Sequence, residues 1–232
     1  MAEPAHFFTS ITANYLPKAR VLAESVKRVM PDAVFHLMLC DDYPDELSWA
    51  AEPFDNLLTI GDLPLENAPG WVFGHSVVEL CTAVKGVALQ TIFDRHGADK
   101  AFYFDPDTVA FGRLDELCAA LEESSILLTP HQVEPETSIE AILDNETASL
   151  KDGVFNLGFL GVRNDGRGRR FADWWATRLL QVCRDDRPAG LFTDQKWVKL
   201  APCFFEGIHV VRSPAFNVAT WNITTREVAG DF

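Results

Sequence analysis

Two carboxylates one residue apart, Asp105 and Asp107, close an apolar, aromatic run in FYFDPDTVAF (102–111). Like charges this close repel, and a bound cation removes the repulsion. The hard divalent ions Mg²⁺ and Mn²⁺ suit such a pair, because they prefer oxygen ligands and keep positions for water and phosphate oxygens. Alternation along an extended chain is expected to point both side chains to one face, and Pro106 stiffens the link between them. The plain alternative is a capped surface turn. Phe102-Tyr103-Phe104 before the pair and Val109-Ala110-Phe111 after it argue otherwise, since a solvated turn rarely has such apolar flanks.

The elements that must position this pair follow from periodicity. HFFTSIT (6–12) reads as a strand, and apolar residues from Leu16 to Met30 recur at helical spacing, with Asn14 as the expected cap and Pro31 as the stop. AVFHLML (33–39) reads as a second strand, closed by Cys40-Asp41-Asp42, and NLLTIGDL (56–63) as a third. Residues 75–97 read as one long helix ending at Gly97, and KAFYF (100–104) as the strand that delivers the aspartates. Beyond it come a helix (114–123), a strand (125–130) and a polar, Glu-rich loop with room for one helical segment (131–153). VFNLGFLGV (154–162) is a strand, 169–183 a helix, 193–200 a helix and IHVV (208–211) a last strand. Strand, helix, strand in this order predicts a single α/β domain around a mostly parallel, mixed sheet flanked by helices. In open sheets of this kind ligands gather at the carboxyl ends of the strands, where Asp105 and Asp107 fall.

Composition narrows the chemistry. The chain has 232 residues and a formal net charge of −14, which repels nucleic acid and anionic lipid. No apolar run reaches the roughly 18–20 residues of a membrane span, and no basic region precedes an apolar stretch at the N-terminus. The five cysteines (Cys40, Cys81, Cys118, Cys183, Cys203) are widely spaced, form no C-x-x-C, and read as small core residues of a protein in a reducing cytoplasm.

The Asp-x-Asp stretch resembles that of GT-A-fold glycosyltransferases, and the likeness extends along the chain. FTSITANYLPKARVLAESVKRVMPDAVFHLMLCDD resembles the nucleotide-binding first half of that fold; VFNLGFLGVR (154–163) resembles its Asn-x-Gly strand. FTDQKWVKL (192–200) resembles the Asp-Gln segment of the retaining, family-eight, glycogenin-like and bacterial galactosyltransferase-like group. The resemblance implies transfer of a sugar from a nucleotide-sugar donor, a UDP-sugar in the favoured case, to a glycan or other hydroxyl acceptor, with Mn²⁺ or Mg²⁺ on the diphosphate. It divides the domain into a nucleotide-sugar-binding half (1–111) and an acceptor and catalytic half (112–232). It implies that Asp107 holds the metal and that Asp105 serves the metal or the donor ribose. Thr9 and Ser10 would lie against the nucleoside, and Asp41 or Asp42 against base or ribose. Lys85 would reach the donor phosphate or sugar; the alternative is a solvated lysine. A buried Asn156 must find hydrogen-bond partners, a sugar hydroxyl among them, and Gly158 permits close approach of a ligand; the alternative is a β-bulge with a locally satisfied Asn. His131 would touch donor or acceptor, or be an ordinary surface or core histidine. Asp194 and Gln195 would flank the transferred sugar, stabilising an oxocarbenium-like transition state with retention; in an inverting reading Asp194 is the general base, and a helix cap is compatible with either.

Other features are plainer. RGRR (167–170) reads as a solvated basic face or an anion site, and Trp174 and Trp175 as packing residues or a sugar platform. The retaining group has a His near the C-terminus as third metal ligand; here none follows His209, which sits in a strand-like context. The expectation is either a site completed by water and phosphate or a chain cut short, one module of a longer multi-domain enzyme. The protein is expected in the cytoplasm, or peripheral to the inner face of the membrane, and surface polysaccharide is the acceptor that analogy suggests. Two rival readings are a sugar nucleotidyltransferase, for which the first strand lacks a Gly-rich loop, and a non-catalytic nucleotide-sugar-binding module.

Overall fold

The structure is a computed structural model that describes residues 3–45 and 47–229. Seven strands form one sheet in the order β3-β2-β1-β4-β6-β5-β7. They are β1 (His6–Ile11), β2 (Val34–Leu39), β3 (Asn56–Thr59), β4 (Lys100–Phe104), β5 (Ile126–Pro130), β6 (Phe155–Arg163) and β7 (Ile208–Val210). β1 pairs in parallel with β2 and β4, β2 with β3, and β5 with β7; β6 runs antiparallel to both β4 and β5. The sheet is therefore mixed and mostly parallel, as expected, and one sheet runs through both halves of the chain.

Alternation along the strands splits the core into two layers. Phe7, Phe35, Phe102 and Leu127 face α1 (Leu16–Val29) on one side. Phe8, Met38, Tyr103 and Leu160 face the other, against a group of helices introduced below. α1 buries Leu16, Ala19, Leu22, Ala23 and Val26 at helical spacing and ends at Val29, with Met30 as its C-cap before Pro31. Its cap differs from expectation: Asn14 lies in the short 3-10 turn Ala13–Tyr15, where Thr12 Oγ1 donates to its side chain, and Tyr15 occupies the cap position.

The third strand stops at Thr59, because Asp62 reaches back to the Thr59 N–H at 2.9 Å and turns Ile60–Asp62 into a 3-10 helix. A short helix, α2 (Ala68–Phe73), follows that sequence periodicity had not singled out. The long helix predicted over 75–97 is two helices, α3 (Val77–Ala83) and α4 (Lys85–His96), with the break at Val84. Its start is firm: Ser76 Oγ accepts from the Glu79 N–H and Glu79 Oε2 from the Ser76 N–H, a reciprocal cap. α5 (Asp115–Glu123) follows β4, and the Glu-rich segment contains α6 (Ile139–Ala141), a π turn over Ile142–Glu146, and α7 (Thr147–Asp152).

α8 (Gly166–Val182) begins three residues earlier than the apolar pattern suggested, because Asp165 Oδ1 accepts the Arg167 and Gly168 N–H groups. α4 and α8 pack closely: a Cβ on Gly86 would stand 2.5 Å from Ala176 Cα, so only glycine fits there. Trp175, on the buried face of α8, is fully buried, and Trp174 packs on Phe171, Phe204 and Phe205, so both are packing residues. The helix predicted over 193–200 is shorter: α9 (Gln195–Val198) gives way to α10 (Ala201–Phe204). Cysteine placement departs from a uniform core. Cys40 and Cys183 are buried, Cys81 and Cys118 are half-buried, and Cys203 is exposed.

Candidate active site

A cleft of about 320 Å³ opens at the carboxyl ends of β1 and β4, within the size range of small-ligand sites, about 300–1,000 Å³. Ser10, Lys85, Asp105, Asp107, Asn156, Gly158, Asp194 and Gln195 all line it. These eight residues come from five separate stretches of chain. The antiparallel direction of β6 explains why Asn156 and Gly158 are among them. Phe104 stands opposite Phe159, so the next residue of β4's chain meets the beginning of β6, and the Asp105 N–H donates to the Gly158 carbonyl at 2.8 Å.

The two aspartates reach the cleft by a route the strand pattern did not anticipate. β4 ends at Phe104, and residues 105–108 form a turn closed by the Thr108 N–H on the Asp105 carbonyl at 3.1 Å. The turn, not strand alternation, brings Asp107 round. Asp107 is exposed. Asp105 is half-buried, and its Oδ1 accepts from the Tyr103 hydroxyl at 2.7 Å and from Lys85 Nζ at 3.4 Å. Gly158 leaves the room Asp105 needs: a Cβ there would stand 3.0 Å from Asp105 Oδ2 and 2.9 Å from Asn156 Oδ1.

Lys85 is not a solvated lysine. It is 5% exposed, and its ammonium donates to Asp194 Oδ2 at 3.0 Å, to the Leu157 carbonyl at 3.2 Å and to Asp105. The Tyr103 ring lies 4.1 Å from Nζ. Burial works against the charged amine, but Asp105 and Asp194 outweigh it and hold Lys85 well above the ordinary lysine range. Asp194 is 3% exposed; burial raises its carboxyl above the usual range although Lys85 pulls the other way. Both directions hold at once because two carboxylates share a single ammonium in a dry site. With Asp107 added, three acids face one base, and the surplus is negative.

Asp194 does not cap α9, for its side chain makes no cap bond; it turns inward to Lys85. The preceding residue, Thr193, has φ of 44°, a left-handed conformation rare for a β-branched side chain. Such strain persists where surrounding contacts enforce it, and here it aims Asp194 at the ammonium. Gln195 Nε2 donates to the Asp152 carbonyl at 3.0 Å, which steadies its amide at the cleft wall. Asn156 sits where β5 and β6 slip register; it accepts from the Gly158 N–H at 2.7 Å and donates to Asn217 Oδ1 at 2.9 Å. It is thus a locally satisfied Asn at a bulge that also faces the cleft.

Four expected residues lie elsewhere. Thr9 is fully buried: alternation turns it to the α1 side with Phe7 and Ile11, and its Oγ1 has no partner, while Ser10 turns to the cleft. Asp41 is exposed and accepts the Ala13 N–H through both oxygens at 2.9 and 3.0 Å, which fixes the loop carrying Thr12 and Tyr15 into the cleft. Asp42 is exposed and does not line the cleft. His131 packs edge-on against Trp221, its carbonyl accepting from Asn222 Nδ2 at 2.8 Å, and burial lowers its basicity. Of RGRR, Arg169 pairs with Asp94 at 2.6 Å and Arg167 with Glu206 at 3.5 Å, as a solvated basic face would. His209 is exposed on β7.

Tyr103 is a site residue that sequence reasoning missed, as are Thr12 and Tyr15 on the cleft wall. The Tyr103 hydroxyl touches Asp105 and lies 3.3 Å from Ser10 Oγ. The signal was there: in an alternating strand, a lone phenol two residues before Asp105 must share its face.

Among the described residues, no group of three or more His, Cys, Asp or Glu side chains is placed to hold a metal ion. Asp105 Oδ2 lies beside the gap that Gly158 leaves, and the exposed Asp107 carboxylate lines the same cleft. This donor set suits a divalent ion that takes its other ligands from water and diphosphate. Among the described residues, no helix is long and apolar enough to cross a membrane.

No family model matches the chain. It is 26% identical over 234 residues to the uncharacterized protein YfnD of Bacillus subtilis (strain 168), spanning 96% of this chain and 70% of YfnD. Among solved structures it is similar to the galactosyltransferase LgtC in complex with donor and acceptor sugar analogs, with a TM-score of 0.53 and 17% identity over 89% of this chain and 72% of LgtC. The glycosyltransferase GlyE of Streptococcus pneumoniae TIGR4 aligns with a TM-score of 0.56 and 16% identity, over 91% of this chain and 45% of GlyE. At these identities the likeness is one of fold: the chain has the single-domain α/β architecture of GT-A-like glycosyltransferases.

Proposed function

We propose that the protein is a glycosyltransferase that moves a sugar, a hexose in the favoured case, from a nucleotide-sugar donor to a hydroxyl-bearing acceptor such as a glycan, with Asp105 and Asp107 holding a divalent ion. The observation that carries this reading is the convergence of Asp105, Asp107, Lys85, Asp194 and Gln195 on one cleft, in a fold shared with LgtC and GlyE.

A divalent ion, when bound there, neutralises charge that develops on the departing diphosphate. The chain's own groups do the rest. Tyr103 and Lys85 hold Asp105 Oδ1, which would leave its Oδ2 to take the ion. Ser10, Thr12 and Tyr15 form a wall suited to a nucleoside, with UDP the favoured case. Asp194 is kept dry and fixed by Lys85, ready to stabilise positive charge on a sugar ring, and Gln195 offers amide hydrogen bonds beside it. This supports retention, because a buried carboxylate already engaged by an ammonium is poorly free to take a proton from an acceptor hydroxyl.

Hydrolysis of a panel of UDP- and GDP-sugars, followed by NMR with and without Mn²⁺, tests the proposal. Slow, Mn²⁺-dependent release of free sugar from one donor is expected, and its disappearance in Asp107→Ala. No metal-dependent turnover of any donor would refute it.

A further inference from the structure

The cleft carries a second chemical pair that the sugar-transfer reading does not use. Cys81, half-buried on α3, lines the cleft beside Ser10 and Lys85. Cys40, 5% exposed, follows β2 directly. Two neighbouring residues of β1 hold both: the Cys40 N–H donates to the Ile11 carbonyl at 2.8 Å, and Ser10 Oγ donates to the Cys81 carbonyl at 2.5 Å. Cys40 belongs to the apolar cluster on this face of the sheet and Cys81 packs against the same cluster, and each thiol is close enough to shift the acidity of the other. Neither is bonded to another sulfur.

We infer that Cys40 and Cys81 form an oxidisable dithiol, a modification site whose disulfide lies in the wall of the cleft. The two thiols have different parts. Contact with Cys40 lowers the acidity threshold of Cys81, and the Lys85 charge adds to this, against the effects of burial and Asp41; the same contact, together with burial, raises Cys40. Cys81, reachable from the cleft, is the attacking thiolate, and Cys40 resolves. With hydrogen peroxide as oxidant, Cys81 Sγ attacks one peroxide oxygen. The O–O bond breaks, hydroxide leaves and takes a proton as water, and Cys81 becomes a sulfenic acid. Cys40 Sγ then attacks that sulfur; the S–O bond breaks, and the departing hydroxide takes the Cys40 proton as a second water. Two thiols lose two electrons and the peroxide gains them. The bond ties the end of β2 to α3, the helix that presents Val77 and Val78 to the cleft. Elsewhere, burial pushes Cys118 and Cys183 up and out of reactivity, and Cys203 is the exposed competitor.

The test uses the whole chain and does not depend on which ligand the cleft takes. Reduced protein is treated with a small excess of hydrogen peroxide, quenched with an alkylating agent, and mapped by mass spectrometry without reduction. The expected results are a Cys40–Cys81 cross-linked peptide, a fall in titratable thiols from five to three, and full reversal by dithiothreitol. Cys40→Ser should leave a sulfenic acid at Cys81 that dimedone traps. Oxidation confined to Cys203, a disulfide through any other pair, or five thiols surviving a dose that oxidises a free thiol in solution would overturn the inference; the wild-type map alone decides it if the variant does not fold.

Discussion

Lys85 Nζ lies 3.0 Å from Asp194 Oδ2 with both side chains out of solvent, and the same ammonium reaches Asp105 at 3.4 Å. A buried ion pair adds little net stability, but breaking one by removing a single partner leaves an uncompensated buried charge. Lys85→Met should therefore cost about 3–5 kcal/mol in urea unfolding, and Lys85→Met with Asp194→Asn should recover most of that loss. A single-variant loss below about 1 kcal/mol, the range of exposed pairs, would contradict this placement of the pair.

Asp107 presents the opposite case. Its side chain is exposed, so Asp107→Ala should change unfolding free energy by no more than about 0.5 kcal/mol. If it holds the metal, donor turnover should fall roughly 100-fold or more, since several kcal/mol of charge stabilisation disappear. Equal loss of stability and activity would instead mark a folding defect.

Gly158→Ala tests the cradle around Asp105. The new methyl would meet Asp105 Oδ2 at 3.0 Å and Asn156 Oδ1 at 2.9 Å. Asn156 must shift and Asp105 must give by a few tenths of an ångström, so the Mn²⁺ concentration for half-maximal activity should rise about tenfold, which is the effect of disturbing one ligand's setting. Far-ultraviolet circular dichroism should stay unchanged. An unaltered Mn²⁺ dependence would remove Asp105 from the site.

A histidine cluster at the opposite end of β1 contributes to the acid limb of stability. His6 Nδ1 and His36 Nε2 are 2.9 Å apart, and the His36 and His96 rings stack edge-on with centroids 4.6 Å apart. Burial, then the charges of His96 and His6, bring His36 down to about 3; Asp55 acts the other way on His6. Because the folded value lies below the unfolded one, the unfolded chain binds more protons between them. Stability is intact above about pH 6.5 and falls as pH drops towards 3, by about 1.4 kcal/mol per unit from His36. His36→Leu should flatten the change between pH 6.5 and 5 by about 2 kcal/mol relative to wild type. Parallel pH curves for the two proteins would refute it.

Much of this was legible in the sequence where a single period ruled. Every strand was found within a few residues, because each is an apolar run bounded by turn residues. The break at Val84 was not legible, since the apolar stripe passes straight through it and Val84 itself keeps helical dihedrals. The site was legible as residue types more than as positions. Asp105, Asp107, Asn156, Gly158, Asp194, Gln195, Lys85 and Ser10 meet in the cleft. Thr9 does not, because a one-residue step along a strand reverses a side chain's face. Asp41, Asp42 and His131 sit in loops, where direction depends on hydrogen bonds to distant backbone such as the Ala13 N–H. Tyr103 was hidden among phenylalanines whose role really is packing. The left-handed turn at Thr193 has no sequence signature, since nothing local favours it.

The central claim is that Asp105 and Asp107 hold a divalent ion against the diphosphate of a nucleotide-sugar. Isothermal titration of UDP into the protein, in the presence of Mn²⁺ and in the presence of a chelator, addresses it without any acceptor. The account predicts binding that is at least about tenfold tighter with Mn²⁺, about 1.4 kcal/mol, and that loses this difference in Asp107→Ala. UDP affinity indifferent to Mn²⁺, or a Mn²⁺ effect that survives Asp107→Ala, would contradict it.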